Sequence, residues 1–382
     1  MKVSMYTPTF FSIDDGGRNF VFQLGQALVK NGINVVLFTF TKTFEAFPSL
    51  LSEGVITLEG VTIRKYEPKI MRIVGMRPQF FSRQLIKDIS HDPTDIVHVH
   101  DFSQFPLLIS VLRKVKSTVV LSPHKINEHF QNISSPFRKR LLKGTVNYIG
   151  KKVSRFIVDN PQDKSILMSM ETPEEKITLI QHGIDYLKMA SIKRNEEDII
   201  LTVGRYAPNK GLHNLMDAAR VIIDNYYPQL KFYLIGTVFD KEYHKFLQEK
   251  IQGFEDQICL TGPLEEAKLI NLFSRAKFFI FPSVNDTHGL VSLEAMAAGV
   301  PVIATKVEGT SSLIQDGVNG ILIPPDDVSS LVDSILDLLK NKEKRELLIK
   351  KGKETAKKYY WQEYTRGAIR IYSEIVENKE SF

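Results

Sequence analysis

Two carboxylates lie on either side of a glycine in the stretch "VNDTHGLVSLEAMAAG" (284–299). Asp286 precedes the glycine in a loop, and Glu294 follows it inside a predicted helix. The N–H groups at a helix start attract anions, and a carboxylate accepts hydrogen bonds from sugar hydroxyls at about 1.5–3 kcal/mol each. The stretch therefore predicts a site for phosphate and sugar groups, although Glu294 could instead be a helix-surface charge. The apolar residues around Glu294 favour the binding role, because a buried carboxylate needs a partner.

Two cations follow another predicted strand, in "LTVGRYAPNKGLHNLMDAA" (201–219). Arg205 comes directly after the strand, and Lys210 lies just before a predicted helix. Arginine supplies a planar fork for phosphate oxygens and lysine a point charge on a flexible stem, so the pair suits a diphosphate. The alternative is a pair of solvated loop cations.

The first half of the chain has candidates of its own. Gly16 and Gly17 follow the first predicted strand, where they permit either an anion-binding nest or a plain tight turn. His98 and His100 share one face of the strand in "DIVHVHD" (95–101), and His124 ends "VVLSPH" (119–124). Because no pattern of carboxylates or cysteines accompanies these histidines, we expect polar residues facing a cleft rather than a metal site.

Positive charge is interleaved with apolar residues in "SPFRKRLLKGTVNYIGKKVSR" (135–155), which has seven basic residues and no acidic one. The pattern predicts an interfacial helix that attracts anionic headgroups, with the membrane or acceptor contacts made by Arg138, Lys139, Arg140 and Lys143. The cations of residues 64–87 extend the same interpretation. A solvated basic face is the alternative. Nucleic acid is not expected, because no aromatic stacking motif or known module is present.

Short apolar strands alternate with helices along both halves of the chain, which predicts an α/β fold with two doubly wound parallel sheets. A polar segment, 185–198, is expected to link a first domain (1–186) to a second (187–359). Ligands bind such sheets at the carboxyl ends of the strands, so the two sheets would face each other across a cleft. Periodicity alone leaves open whether the last helix, about 360–382, caps the second domain or returns to the first.

The composition limits the classes of protein to consider. The 382 residues exceed what one core usually supports. Residues 1–190 hold 25 Lys+Arg and 17 Asp+Glu, a net charge of +8, and the remainder carries −2, which gives the total of +6. The first half is therefore expected to meet any anionic partner. Cys259 is the single cysteine, and neither a signal peptide nor an apolar window of about eighteen residues is present. We therefore expect a cytosolic protein.

The chain resembles the family-4 retaining glycosyltransferases of the GT-B fold over nearly its whole length. The resemblance rests on the order and spacing of several stretches, among them "DDGGRNFVFQLGQALVKNGINVVLFT", "ITLIQHGID", "LTVGRYAPNKGLHNLMDAA", "HGLVSLEAMAAGVPVIAT" and "DGVNGILIPPDD". It implies two Rossmann-like domains facing across a cleft, with the acceptor in the first domain and the nucleotide-sugar donor held mainly by the second. It also implies that the final helix crosses back to the first domain and that no metal cofactor is required.

The resemblance further implies roles for individual residues. In the family pattern the matching cations offset charge on the leaving nucleotide, the matching glutamate binds ribose and the matching histidine lies near the transferred sugar. The implied catalytic set is Asp286, Arg205, Lys210 and His124. The implied donor-binding set is Gly16, Gly17, Arg205, Lys210, Leu264, His288, Gly289, Leu290, Val291 and Glu294.

The chain departs from the family pattern at several positions. Asp286-Thr287-His288-Gly289 stands where the family usually has Glu-Gly-Phe-Gly. Aspartate reaches about 1.5 Å less far than glutamate, and a misplacement of about 1 Å can cost a hundredfold in rate. Ser312 stands where an acid is common, and His182 replaces the usual asparagine. These departures bear on which donor is bound.

The sequence therefore predicts a retaining glycosyltransferase that moves a hexose from a UDP- or GDP-sugar to a lipid-linked or other anionic acceptor. We expect it to be peripheral on the inner, cytosolic face of the membrane. No side-chain nucleophile is visible, so retention is expected on the front face, with a donor phosphate oxygen taking the acceptor proton. The alternatives are a catalytically impaired sugar-nucleotide-binding or membrane scaffold subunit, which the departures favour, and a nucleotide-sugar epimerase, which the Arg205–Lys210 pair disfavours.

Overall fold

The computed structural model describes residues 1–8, 20–41, 53–72, 79–101, 104–124, 126, 136–286 and 289–380, without the side chains of 136–139, 141–142 and 379–380. The chain forms two compact units. One comprises Met1–Gln181 with Gln362–Phe382, and the other comprises His182–Trp361. The sequence interpretation had placed these divisions at 186/187 and 359/360.

The first unit is built around β-strands, most of which are parallel. Their bounds in chain order are β1 (Lys2–Tyr6), β2 (Asn34–Phe40), β3 (Gly54–Leu58), β4 (Val61–Tyr66), β5 (Lys69–Met71), β6 (Gln79–Phe81), β7 (Ile96–His100), β8 (Thr118–Ser122), β9 (Arg155–Val158) and β10 (Ile177–Leu179). Within the described ranges, eight of them make one sheet in the order β10-β9-β8-β7-β1-β2-β4-β3. All its pairs are parallel except β3 with β4. The short strands β5 and β6 pair separately and antiparallel.

Helices connect these strands, with bounds α1 (Phe20–Lys30), α2 (Arg83–His91), α3 (Phe105–Lys114), α4 (Pro136–Lys152) and α5 (Pro161–Ser169). Apolar side chains alternate along the strands, and those on one face pack with α2 and α3 into a buried cluster that includes Phe38, Leu85 and Leu107. The parallel alternation predicted for the first half of the chain is confirmed.

The second unit contains a parallel sheet built from β11 (Ile199–Val203), β12 (Lys231–Ile235), β13 (Ile258–Gly262), β14 (Phe278–Phe281), β15 (Val302–Thr305) and β16 (Ile321–Ile323). The strand order is β13-β12-β11-β14-β15-β16. Neighbouring residues of one strand face opposite sides, because Ile200 belongs to one buried cluster and Leu201 to another. Helices therefore cover both faces, as the continuous apolar strands predict.

The helices from residue 186 onward are α6 (Tyr186–Ala190), α7 (Leu212–Asn225), α8 (Lys241–Lys250), α9 (Glu266–Arg275), α10 (Leu290–Ala297), α11 (Glu308–Ser311), α12 (Val328–Lys340), α13 (Lys342–Ala356) and α14 (Trp361–Glu380). Nearly all of α14 belongs to the first unit. None of the described helices is long and apolar enough to cross a membrane.

The polar segment 185–198 differs from a free linker. It begins with α6, and Arg194 then donates hydrogen bonds to the carbonyl oxygens of Phe273 and Ala276 at the end of α9. The amide of Asn195 also donates to the Ser274 carbonyl, at 2.8 Å. Hydrogen bonds that polarity alone does not reveal thus hold this segment against the second unit.

Two of the cations in the basic segment 64–87 lie inside the first sheet. Residues 61–66 form strand β4, in which Lys65 is buried and Arg64 lies 5.5 Å above the ring of Phe38. Arg64 also lies 3.8 Å from the carboxylate of Asp92. Arg64 and Lys65 are therefore taken up by the sheet, whereas Lys69, Arg72, Arg83 and Lys87 are exposed, so the interfacial interpretation of these four remains a prediction.

Candidate functional site

Lys210 and Asp286 meet at the carboxyl edge of the second sheet. Lys210 ends a short 3-10 turn, Pro208–Lys210, that follows β11, and Asp286 lies in the loop after the neighbouring strand β14. The ammonium of Lys210 donates a hydrogen bond to Oδ2 of Asp286, and both side chains are 15 % exposed. A charged pair at this depth is shielded from water on most sides and still reachable by a ligand.

Backbone contacts fix these two loops against each other. The amide of Val284 donates to the Asn209 carbonyl at 2.9 Å. Gly211, with φ +60°, passes so close to β14 that a Cβ there would lie 2.0 Å from the Pro282 carbonyl oxygen. Only glycine fits at this crossing, so Gly211 fixes the position of the backbone from which the Lys210 side chain extends.

Asp286 also connects to the start of α10. Its Oδ1 accepts a hydrogen bond from the Gly289 amide at 2.9 Å, while its main-chain carbonyl accepts one from Gly309 at 2.8 Å. Within the described residues, the next two amides, of Leu290 and Val291, donate to no protein acceptor, as is normal for the first turn of a helix. The predicted anion site thus has two available donors rather than three, because Asp286 occupies the first.

Arg205 lies over an aromatic ring. Its guanidinium carbon is 4.4 Å from the ring centroid of Phe239, and that phenylalanine is 46 % exposed. The two loops run side by side, since Tyr206 and Val238 form a parallel bridge and a Cβ on Gly236 would lie 1.9 Å from the Gly204 carbonyl oxygen. The sequence interpretation found Arg205 but missed Phe239, because a loop phenylalanine carries no distinctive spacing.

Glu294 and Leu264 contribute from the same unit. Glu294 is 6 % exposed on α10, and its neighbours in that helix are buried, as the packing argument required. The alternative of a helix-surface charge for Glu294 is therefore wrong. Leu264, Leu290 and Val291 are half-buried and pack against one apolar cluster. The second unit thus connects Lys210 and Asp286 to the start of α10, while Arg205 lies beside Phe239.

The first unit holds a chain of polar side chains at the ends of β7 to β9, in which His100 and Asp159 are buried and His124 is partly exposed. His124 lies beyond β8 with φ +39°, and its Nδ1 is 3.0 Å from Oδ2 of Asp159. Its Nε2 is 3.2 Å from Nδ1 of His100. The carboxylate that seemed absent beside the histidines is therefore supplied by Asp159, in "FIVDNP", which sequence spacing did not connect to them.

His98, the remaining histidine of this strand, is a structural residue. Its Nδ1 is 2.6 Å from the hydroxyl of Tyr372 on α14, and its Nε2 is 2.9 Å from Oγ of Ser122. Burial is the main cause that lowers the pKa of His98 to about 3, and a proton on nearby His124 would act in the same direction. A neutral imidazole that bonds to two hydroxyls tethers α14 to the first sheet and offers no ring nitrogen to a ligand.

The basic helix α4 carries the cations predicted to meet a membrane. Arg140 and Lys143 are exposed, and Lys143 forms a 2.9 Å ion pair with Glu171. Hydrogen bonding to Lys143 lowers the pKa of Glu171. The acid-free sequence of α4 thus gains an acidic neighbour in the fold. The predicted residues Gly16, Gly17 and His288, and the side chains of Arg138 and Lys139, lie outside the described part of the chain.

Comparison with known families covers both units. The sequence model for "Glycosyltransferase Family 4" matches residues 15–186, and that for "Glycosyl transferases group 1" matches residues 186–355. A relative over the whole length is a phosphatidyl-myo-inositol mannosyltransferase of Mycobacterium leprae, 23 % identical over 98 % of this chain and 97 % of that one. A sulfoquinovosyl transferase of Arabidopsis thaliana is 32 % identical over 74 % of this chain and 57 % of its own length.

Solved structures share the architecture. The sucrose-phosphate synthase of Thermosynechococcus elongatus superposes with a TM-score of 0.73 at 19 % identity, covering 99 % of both chains. The Anabaena protein HepE, solved in complex with UDP and glucose, superposes with a TM-score of 0.73 at 18 % identity, over 98 % of this chain and all of that one. These likenesses show the fold, with two Rossmann-like domains.

Proposed function

Since the chain belongs to the family-4, group-1 glycosyltransferases, we propose that it moves a hexose from a UDP- or GDP-sugar to an acceptor with retention of configuration. The observation that carries the proposal is the convergence of Lys210, Asp286 and the start of α10 at one sheet edge, with Arg205 on the adjoining loop. Cations and helix amides together suit a diphosphate.

The residues of the second unit take donor-binding roles in this proposal. Arg205 and Lys210 bind the diphosphate and offset the charge that develops on the leaving nucleotide. The amides of Leu290 and Val291 bind a phosphate, while Glu294 accepts hydrogen bonds from the ribose hydroxyls. Asp286 contributes by positioning other groups of the site, because its carboxylate accepts hydrogen bonds from Lys210 and from the Gly289 amide.

The first unit takes the acceptor role, with His124 near the transferred sugar. Because Asp286 is bonded to Lys210 and to the Gly289 amide, we assign retention to front-face displacement, in which a donor phosphate oxygen accepts the acceptor proton. No metal is needed for this step in the proposal, because two cations and the helix start bind the phosphates.

A lipid or otherwise anionic acceptor is proposed from charge and from the relatives. The first half of the chain carries the excess of basic residues, and Arg140 on α4 is exposed. The name phosphatidyl-myo-inositol mannosyltransferase, borne by a full-length relative, supports a lipid acceptor. We propose that the protein acts at the cytosolic face of a membrane, where surface cations attract anionic lipids.

Donor binding is tested by thermal unfolding with UDP-, GDP- and ADP-glucose. A ligand that binds only the folded state stabilises it, by about 2.7 kcal/mol when its concentration is a hundred times its Kd. The unfolding temperature rises accordingly. The UDP- or GDP-sugar should produce the larger shift. Absence of a shift with every nucleotide sugar would contradict the proposed donor class.

Turnover is tested with Glu294→Gln, which keeps the shape of the side chain and removes its charge. Loss of two charge-assisted hydrogen bonds predicts a fall in kcat/KM of about a hundredfold or more. The control is Glu266→Gln, at an exposed ion pair with Lys188 in the same unit. Unchanged activity in Glu294→Gln would sink the proposal, and nucleotide binding without turnover in the native protein would favour the scaffold function.

Membrane binding is tested by flotation with vesicles containing anionic lipid or only neutral lipid. The double variant Arg140→Gln/Lys143→Gln should float less, and added salt should release the native protein. The double variant Lys342→Gln/Lys350→Gln in the second unit serves as the charge-matched control. Failure of the native protein to bind anionic vesicles at any salt concentration would remove the membrane from the proposal.

A further inference from the structure

Three side chains of the first unit form a continuous line. Oδ2 of Asp159 lies 3.0 Å from Nδ1 of His124, whose Nε2 lies 3.2 Å from Nδ1 of His100. The other carboxylate oxygen of Asp159 accepts a hydrogen bond from Nδ2 of Asn160 at 2.8 Å. His100 is 1 % exposed and Asp159 is 8 % exposed. Both ring nitrogens of His124 therefore have fixed protein partners.

We propose that Asp159 and His100 are positioning residues that hold His124 in a single tautomer. A carboxylate only accepts hydrogen bonds, so Nδ1 of His124 must carry the proton. In the neutral ring Nε2 is then an acceptor, and Nδ1–H of His100 donates to it. Neither partner is needed to explain the fold of β7, β8 or β9, whose strands are held by their own ladders.

The surroundings leave His124 little freedom to choose another arrangement. The ring of Phe20 packs edge-on against it, with centroids 5.4 Å apart, and against His100, at 6.1 Å. The positive φ of His124 is unusual for a residue with a side chain and persists only where neighbours over-determine it. The ring is thus fixed in position as well as in tautomer.

The fixed tautomer determines what His124 offers to a substrate, and this consequence rests on the proposed glycosyltransferase function. An Nε2 acceptor pairs with a hydroxyl, which would take the place of the His100 N–H. Asp159 and His100 thus determine that His124, which the proposed function places near the transferred sugar, meets a substrate hydroxyl as an acceptor at Nε2.

The direct test is long-range proton–nitrogen NMR of the full chain labelled with 15N-histidine at neutral pH. His124→Gln identifies the signal. The expected native spectrum has a protonated Nδ1 and an unprotonated Nε2 at His124. A protonated Nε2, or a mixture of the two tautomers, would overturn the proposal whether or not the protein transfers sugar.

The variant Asp159→Asn makes the test sharper. Because Asn160 already donates to one oxygen of residue 159, the new amide should keep its carbonyl oxygen there and turn its NH2 toward His124. Nδ1 then becomes the acceptor, and the proton moves to Nε2. Asp88→Asn, which removes a carboxylate bonded to Tyr66 in the same unit, should leave the tautomer unchanged. An unaltered tautomer in a folded Asp159→Asn protein would contradict the inference.

Kinetics separate this inference from the proposed function. If His124 binds a substrate hydroxyl, Asp159→Asn should lower kcat by roughly 10- to 100-fold, by analogy with the loss of a carboxylate behind a metal-bound histidine. Binding of the free nucleotide should stay as in the native protein. His100→Gln, whose amide can still donate, should retain more activity than His100→Leu. A tautomer that switches without any change in kcat would support the positioning role and contradict the substrate role of His124.

Discussion

The carboxyl edges of the two parallel sheets hold their polar side chains in different ways. The edge in the first unit, with His98, His100 and His124, is called the first edge, and the edge in the second unit, with Arg205, Lys210 and Asp286, is called the second edge. In the first unit, side chains bond to one another, as His98 does with Tyr372 and Ser122 and as His124 does with Asp159, and of these five only the His124 side chain is partly exposed. In the second unit, charged side chains remain partly exposed, and backbone contacts between loops fix their positions, as at Gly211.

The difference follows from the charge that each edge carries. A buried histidine is cheapest when neutral and satisfied by hydrogen bonds, so side-chain networks suit the first edge. A cation that binds a phosphate must stay reachable, so at the second edge the main chain fixes the loops and Lys210 has one carboxylate partner, Asp286, rather than a buried network. The comparison predicts that glycine substitutions damage the second edge most, and that acid damages the first.

The largest expected effect is at Gly211→Ala. A left-handed backbone costs a side-chain residue about 1–2 kcal/mol, and relieving the contact with Pro282 adds roughly 1–3 kcal/mol. The free energy of unfolding, from urea denaturation, should fall by about 3 kcal/mol or more. Gly253→Ala, with φ +83° and open space around it, should cost only the backbone part. Equal losses in both variants would mean that the loop crossing does not constrain the second edge.

Lys210→Gln should affect activity nearly as strongly. Removing a charge that stabilises the leaving diphosphate costs about 10²–10³ in rate, or roughly 3–4 kcal/mol. Steady-state transfer or donor hydrolysis measures it. The control is Lys277→Gln, which breaks a comparable 2.5 Å ion pair with Asp198 in the same unit. Similar rates for the two variants would show that Lys210 serves only to pair with Asp286.

Acid should weaken the first edge through His98. Its folded-state pKa of about 3 lies below the ordinary value of 6.5, so the unfolded chain binds the proton first as pH falls. The stabilisation is therefore complete above pH 6.5 and is lost toward pH 3, with about 2 kcal/mol lost between pH 7 and 5. Denaturation of His98→Gln should lack this part of the pH dependence, whereas exposed His91→Gln should retain it. Identical slopes for native protein and His98→Gln would refute the assignment.

Phe239→Leu should have the smallest effect. A cation–π contact at an exposed site contributes about 0.5–1 kcal/mol, so nucleotide binding should weaken roughly two- to fivefold. Calorimetric titration with UDP or GDP measures the change. Phe246→Leu is the matched control, because Phe246 is equally exposed and lies 5.6 Å from the ammonium of Lys250, in the adjoining helix α8. A loss confined to Phe239→Leu would identify the stack with Arg205 as part of the second edge.

The sequence was sufficient for the fold and for part of the candidate site. Apolar strands alternating with helices predicted both parallel sheets, and the burial of Glu294 followed from its apolar neighbours. Asp159 and Phe239 could not be found this way. Each acts on a residue far away in the chain, and neither has a periodic or motif-like setting.

What the amino-acid sequence determined by itself is therefore local: which segments are strands, where glycine permits a turn, and which residue types could bind phosphate. Tertiary structure alone decided the pairings, such as Lys210 with Asp286, His124 with Asp159 and Lys143 with Glu171. The physical reason is that strand and helix periods arise from neighbouring residues, whereas a hydrogen bond depends on distances set by the whole packed unit.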